Sequence, residues 1–147
     1  MEDNSLYKEF KIDWHSTMKK ELSTLARYRL KRSKSTFKDG LLLLKNKSLN
    51  GALNRFYYAA FYAARALLAT QELDSSKHSG VIFLFHKHFV KTNVISIEIA
   101  KTLSQSFEKR QDSDYEDFFE VEENDVVLVQ NKVEGFIKTC EIVLKKL

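Results

Sequence analysis

Around residue 110 the chain reads RQDSDY, which puts Arg110, Asp114 and Tyr115 within about a turn and a half of helix. An arginine four residues ahead of an aspartate forms an ion pair along a helix. Its planar guanidinium can instead hold a phosphate through two parallel hydrogen bonds. Two readings follow. Arg110 and Asp114 are a salt bridge locking the last two helices, with Tyr115 packed on a central helix. Otherwise Arg110, Asp114 and Tyr115 form an anion-binding cluster, with Arg55 and His78 as neighbours. His78 stands at the head of an apolar run, where a histidine is either a hydrogen-bonded structural group or a proton carrier. His86 and His88 lie two apart, so a helix points them in different directions. With no Asp or Cys partner at helical spacing, they suggest no metal site. The one cysteine, Cys140, rules out an intrachain disulfide and falls on an apolar face. It reads as a small core residue and not as a nucleophile.

These residues need a scaffold, and the sequence supplies helices. Leu49 to Leu68 reads LNGALNRFYYAAFYAARALL. Leu53, Phe56, Ala60, Ala63, Ala64 and Leu67 recur every three or four residues, the spacing of a buried helical face. A second stripe, Arg55, Tyr58, Tyr62 and Arg65, alternates cation and aromatic. With so many alanines, neighbouring helices can approach closely, so this is the expected central helix. Before it, Leu22, Ala26, Leu30, Phe37, Leu41 and Leu44 hold one face from about residue 20 to 45. Arg27, Lys31, Lys34 and Lys38 run along its flank, either as a solvated edge or as a stripe that tracks phosphates. Gly40 inside this helix suggests close packing, and Ser48 or Asn50 is placed to cap the helix that follows. Ser75 or Ser76 is expected to cap a third helix bearing His78, Val81, Ile82, Phe85 and Phe89. Ser96 caps a fourth, with Ile99, Leu103 and Phe107 inward. A fifth begins near Asn124 or Asp125 and buries Val126, Val129, Val133, Phe136, Ile137, Cys140, Val143, Leu144 and Leu147. Tyr7, Phe10, Trp14 and Met18 could make a short amphipathic helix or a docking arm over residues 1–20.

The chain has 147 residues, no proline and four glycines, a composition that leaves long helices uninterrupted. Periodic strand patterns and glycine-rich phosphate loops are missing. The expected architecture is all-α, an antiparallel up-and-down bundle of four to five long helices over residues 21–147, with residues 1–20 as an extension. No apolar run approaches the roughly 18 residues that span a bilayer, and the start has no apolar signal core; a soluble, cytoplasmic protein is expected. The net charge is +4, but residues 111–125 hold eight carboxylates and no cation. A basic body interrupted by one acidic patch suits either nucleic acid or a charged protein partner.

Three stretches, NRFYYAAFYAARALL, KHSGVIFLFHKHFV and LSQSFEKRQDSDYEDF, resemble the HEPN-domain family, in particular a subgroup with an NRxYYAxFxA central helix and an RxxxDY motif. The resemblance covers about Leu22 to Leu147. It implies a homodimeric helical bundle, often paired with a minimal nucleotidyltransferase (MNT) in a toxin–antitoxin system. In the ribonuclease members, an arginine and a histidine from each of two copies meet in a cleft and cut RNA without a metal or other cofactor. Histidine moves the proton of the attacking ribose hydroxyl, and arginine stabilises charge on the phosphorane.

This sequence departs from that pattern. Four residues after Arg110 separate it from Tyr115, where the family has histidine, and no histidine follows His88. A tyrosine, with an ordinary pKa of about 10, is a poor general base at neutral pH. The resemblance therefore implies a candidate catalytic set of Arg110, Tyr115, Asp114 and His78. Arg55, Arg110, Arg27 and Lys31 are the candidate nucleotide- or RNA-binding set. It also implies that Tyr115 matches the tyrosine that some partner nucleotidyltransferases modify with AMP. Three functions remain: a ribonuclease toxin, a non-catalytic nucleotide- or RNA-binding subunit, and a helical adaptor.

Overall fold

The computed structural model describes the backbone of residues 5–115 and 120–147, with side chains from residue 17 onward. Tyr7, Phe10 and Trp14, expected on an amphipathic face, and residues 116–119 of the acidic patch lie outside the described side chains. Five helices follow one another: α1 (Ser5–Lys45), α2 (Leu49–Ala69), α3 (His78–Phe85), α4 (Ile97–Tyr115) and α5 (Glu123–Lys146). Among the described residues no strand occurs. The architecture is the all-α bundle expected from the periodicity.

Helix α2 is the axis of the core. Ala52, Leu53, Phe56, Tyr57, Ala59, Ala60, Ala63, Ala64, Leu67 and Leu68 are all buried. Small side chains do the positioning. The Ser33 hydroxyl of α1 donates to the Ala59 carbonyl at 2.6 Å, so α1 lies close against the α2 backbone. A Cβ on Gly40 would sit 2.6 Å from the Phe56 ring, which is why that position has no side chain. From the far side α5 contributes Val126, Val133, Phe136 and Cys140, all essentially solvent-free.

The helix ends are made without glycine. After α1 the Ser48 amide bonds the Leu43 carbonyl at 2.8 Å and the Lys47 amide bonds the Leu44 carbonyl at 3.0 Å. This paired pattern requires a left-handed residue, and Lys47 takes it with φ 62°. The same pair of bonds closes α2, from Leu73 to Leu68 and from Glu72 to Ala69, with Glu72 at φ 57°. Asn93 is the third left-handed residue, after α3. That helix ends in one π turn, His86–Val90, which keeps Phe85, Phe89 and Val90 all facing inward.

Four local expectations need correction. Neither Ser75 nor Ser76 caps α3; its N-cap is Lys77, without a side-chain bond, because the Ser75 hydroxyl is taken by the Lys77 amide at 3.2 Å. Neither Ser48 nor Asn50 supplies a side-chain cap to α2: Ser48 holds the N-cap position without one. On α4 the buried residues are Ala100, Thr102, Leu103 and Ser106, and Ile99 is 36% exposed; the helix is turned slightly from the face read off the larger residues. Leu147 is exposed because α5 ends at Lys146. Ser96 does serve as expected, accepting the Ile99 amide at 3.3 Å.

Candidate functional site

The stripe of α2 that escapes burial carries Arg55, Tyr58, Tyr62 and Arg65, all partly exposed. Beside it the buried Tyr57 reaches out of the core, its hydroxyl 2.5 Å from Nδ1 of His78. His78 is the first residue of α3, so its place depends on the loop before it. That loop is pinned by Asp74. Its carboxylate meets Arg65 of α2 at 2.7 Å and Arg29 of α1 at 3.2 Å, and it accepts the Ser75 amide at 2.9 Å. Arg65 donates to Asp74 and holds its carboxyl below the usual range.

The His78 ring sits in an aromatic box. It stacks on Phe61 at 4.7 Å between centroids, on Phe107 of α4 at 5.7 Å and on Tyr57 at 5.6 Å, while Tyr58 meets it edge-on at 5.7 Å. Removal from water lowers the His78 pKa, and the positive charge of Arg110 lowers it further. The imidazole is thereby kept neutral to lower pH than an ordinary histidine. Burial likewise pushes the Tyr57 hydroxyl up, with the neighbouring Tyr58 adding to it and Arg110 opposing. Tyr57 keeps its proton.

Arg110 arrives from α4. Its guanidinium lies over the Tyr58 ring at 5.6 Å, and Arg55 approaches the same ring at 5.3 Å, held by Asn54. The expected Arg110–Asp114 pair is present, Nε to carboxylate at 2.9 Å. The Nε–H is nonetheless buried and off line for a hydrogen bond, and the nearby Ser113 hydroxyl is buried without a partner among the described residues. The contact with Asp114 is therefore ionic and leaves hydrogen-bonding capacity on Arg110 unused.

The structure thus brings together His78, Arg110 and Arg55 around Tyr58, with Asp114 paired to Arg110. It does not bring Tyr115 into the group. That side chain is 73% exposed, which corrects the reading in which it packs on the central helix. Arg27 lies elsewhere, lining a groove of about 620 Å³ with Thr70, Gln71 and Leu144, roughly 18 Å along α2 from Tyr58. Lys31 is exposed on α1. From α1 it is Arg32 that reaches the aromatic stripe, over Tyr62 at 4.4 Å. Tyr57 and Phe107 were not legible as site residues: Phe107 reads only as an apolar-face position, and Tyr57 falls on neither stripe of the central helix. Arg32 was hidden by sitting outside the Arg27–Lys31–Lys34 spacing. A groove of about 300 Å³ between α4 and α5 contains none of these residues; the His78–Arg110 group is a surface face. Among the described residues no three His, Cys, Asp or Glu side chains gather as metal ligands, and no helix is long and apolar enough to cross a membrane.

Comparison with known proteins gives a match to the HEPN domain over residues 26–143. A "UPF0332 protein" of Thermotoga maritima is 39% identical over 127 residues, 86% of this chain and 96% of the relative. "Putative toxin MJ0142" of Methanocaldococcus jannaschii is 34% identical over 96 residues, 65% of each chain. "Putative toxin MJ0605" of the same organism is 38% identical over 74 residues, half of this chain and 55% of the relative.

Proposed function

The chain belongs to the HEPN-domain family, and from that premise we propose that it is the toxin-type member of a pair with a nucleotidyltransferase, engaging an RNA phosphate between Arg110 and His78 and cleaving it without a metal. One observation carries this reading: an arginine and a histidine, far apart in sequence and on different helices, flank one tyrosine ring on a solvent-facing surface. Arg110 would stabilise charge on the phosphorane, and His78, brought in from α3 where the RQDSDY motif has no histidine, would be a second group on the phosphate. Arg55 adds a second cation beside Tyr58. The toxin role is supported by the names of two relatives. A second copy of the chain would face the site across a dimer cleft, and the exposed Tyr115 is the side chain a nucleotidyltransferase would reach for AMP transfer.

The test is RNA cleavage by the purified protein in the presence of a chelator. Arg110→Ala should reduce the rate by about 100-fold to 1,000-fold, the scale for removing one transition-state donor. A folded protein that leaves RNA intact would remove the nuclease. A second reading then stands, a non-catalytic nucleotide- or RNA-binding subunit. It is favoured by the lowered pKa of His78, which weakens that residue as a base, and is recognised by binding that falls steeply with salt.

A further inference from the structure

Tyr57 is fully buried, and its hydroxyl has one partner among the described residues, Nδ1 of His78. A buried hydroxyl that keeps its proton must donate it, since an unsatisfied donor away from water is costly. Nδ1 is the available acceptor. A neutral imidazole that accepts at Nδ1 carries its own proton on Nε2. The aromatic box of Phe61, Phe107 and Tyr57 fixes the ring plane. The titratable and charged groups facing the ring are Tyr57 and Tyr58 from α2 and Arg110 from α4, itself paired with Asp114. No carboxylate among the described residues contacts the ring to draw the proton to Nδ1.

Resting on the phosphate-site reading above, we propose that Tyr57 is a positioning residue that holds His78 as the Nε2–H tautomer, so that His78 acts beside Arg110 as a neutral hydrogen-bond donor to a phosphate oxygen and not as a general base. Neutral histidine is suited to this task because it donates without bringing a second positive charge beside Arg110. Abstracting a proton at Nε2 would require the opposite tautomer, whose Nδ1–H would leave the buried Tyr57 hydroxyl without its acceptor. The ligand class is thus a phosphate mono- or diester held by one guanidinium and one neutral N–H.

The experiment is NMR of the histidine ring nitrogens in the ¹⁵N-labelled full chain at neutral pH, with His78 assigned by the His78→Gln variant. The expected spectrum shows a protonated Nε2 and a bare, hydrogen-bonded Nδ1. In Tyr57→Phe, which keeps the ring and whose fold is checked by its melting curve, His78 becomes a mixture of tautomers and its titration midpoint rises. Inorganic phosphate should perturb the Nε2–H signal of the wild-type protein, with affinity about tenfold weaker in Tyr57→Phe. A proton on Nδ1 in the wild type, or a His78 unchanged by Tyr57→Phe, overturns the tautomer assignment. A correct tautomer whose signal ignores phosphate overturns the donor role. Phosphate binding at this tautomer without RNA cleavage supports the proposal and removes the nuclease reading, so the two failures are told apart.

Discussion

A single histidine shows how burial and charge act together. His78 lies at the α2–α3–α4 junction, where loss of water and then the charge of Arg110 both favour its neutral form. Its folded pKa is below the ordinary value of about 6.5. As pH falls through 6.5, the unfolded chain binds a proton there that the folded chain refuses. The stability this residue contributes is therefore complete above 6.5 and is lost as pH drops toward its folded pKa. Thermal melts from about pH 8 to about pH 5 should fall more steeply for the wild type than for His78→Gln. Parallel curves would show that the imidazole is not held neutral. The other histidines are common to both proteins and cancel.

At the scale of elements, the scarcity of glycine has two opposite consequences. Where a glycine occurs inside α1, it is needed: Gly40 faces the buried Phe56, and Gly40→Ala would force a methyl group to 2.6 Å from the ring. Overpacking of that kind costs about 1–3 kcal/mol. Where a glycine is missing, the helix end bears strain, since Lys47 holds φ 62° between α1 and α2. Lys47→Gly relieves it and should stabilise by roughly 0.5–1 kcal/mol, the left-handed penalty less the added entropy of the unfolded chain. Urea denaturation of the two variants should move the midpoint in opposite directions. A shift of the same sign in both would mean that the α1–α2 packing differs from this arrangement. The Lys47–Glu123 ion pair also ends at this turn, but both side chains are well exposed and such pairs contribute little.

For the whole molecule, the core is one body. Cys140 on α5 belongs to the same buried cluster as Phe56 and Leu103, and burial pushes its thiol pKa well up. It is inert both by access and by protonation. A thiol reagent should therefore leave the native protein unmodified and label it only at the rate or frequency of global unfolding, which a denaturant series with mass detection measures. Rapid labelling without denaturant would show that α5 detaches locally. The surface is divided more sharply than the net charge suggests. Cations from α1, α2 and α4 gather around the Tyr58–Tyr62 stripe, while Asp74 pairs with Arg29 and with Arg65 at its end.

The order of helices, the central role of α2, the inward face of α5 and the inert cysteine were all legible in the sequence, because burial imposes a 3.6-residue period that composition cannot hide. The Arg110–Asp114 pair was legible for the same reason, being local to one helix. The meeting of His78 with Tyr57 and Arg110 was not. These residues lie on three helices, and their juxtaposition depends on the left-handed turn at Glu72 and on Asp74 tying the next loop to α1 and α2. Neither has a periodic signature. Nor could periodicity tell that Tyr57, one residue from the half-buried Tyr58, would be fully buried with its hydroxyl on His78. Local spacing determined which residues share a helical face; only tertiary packing decided which faces meet, and with them the protonation of His78.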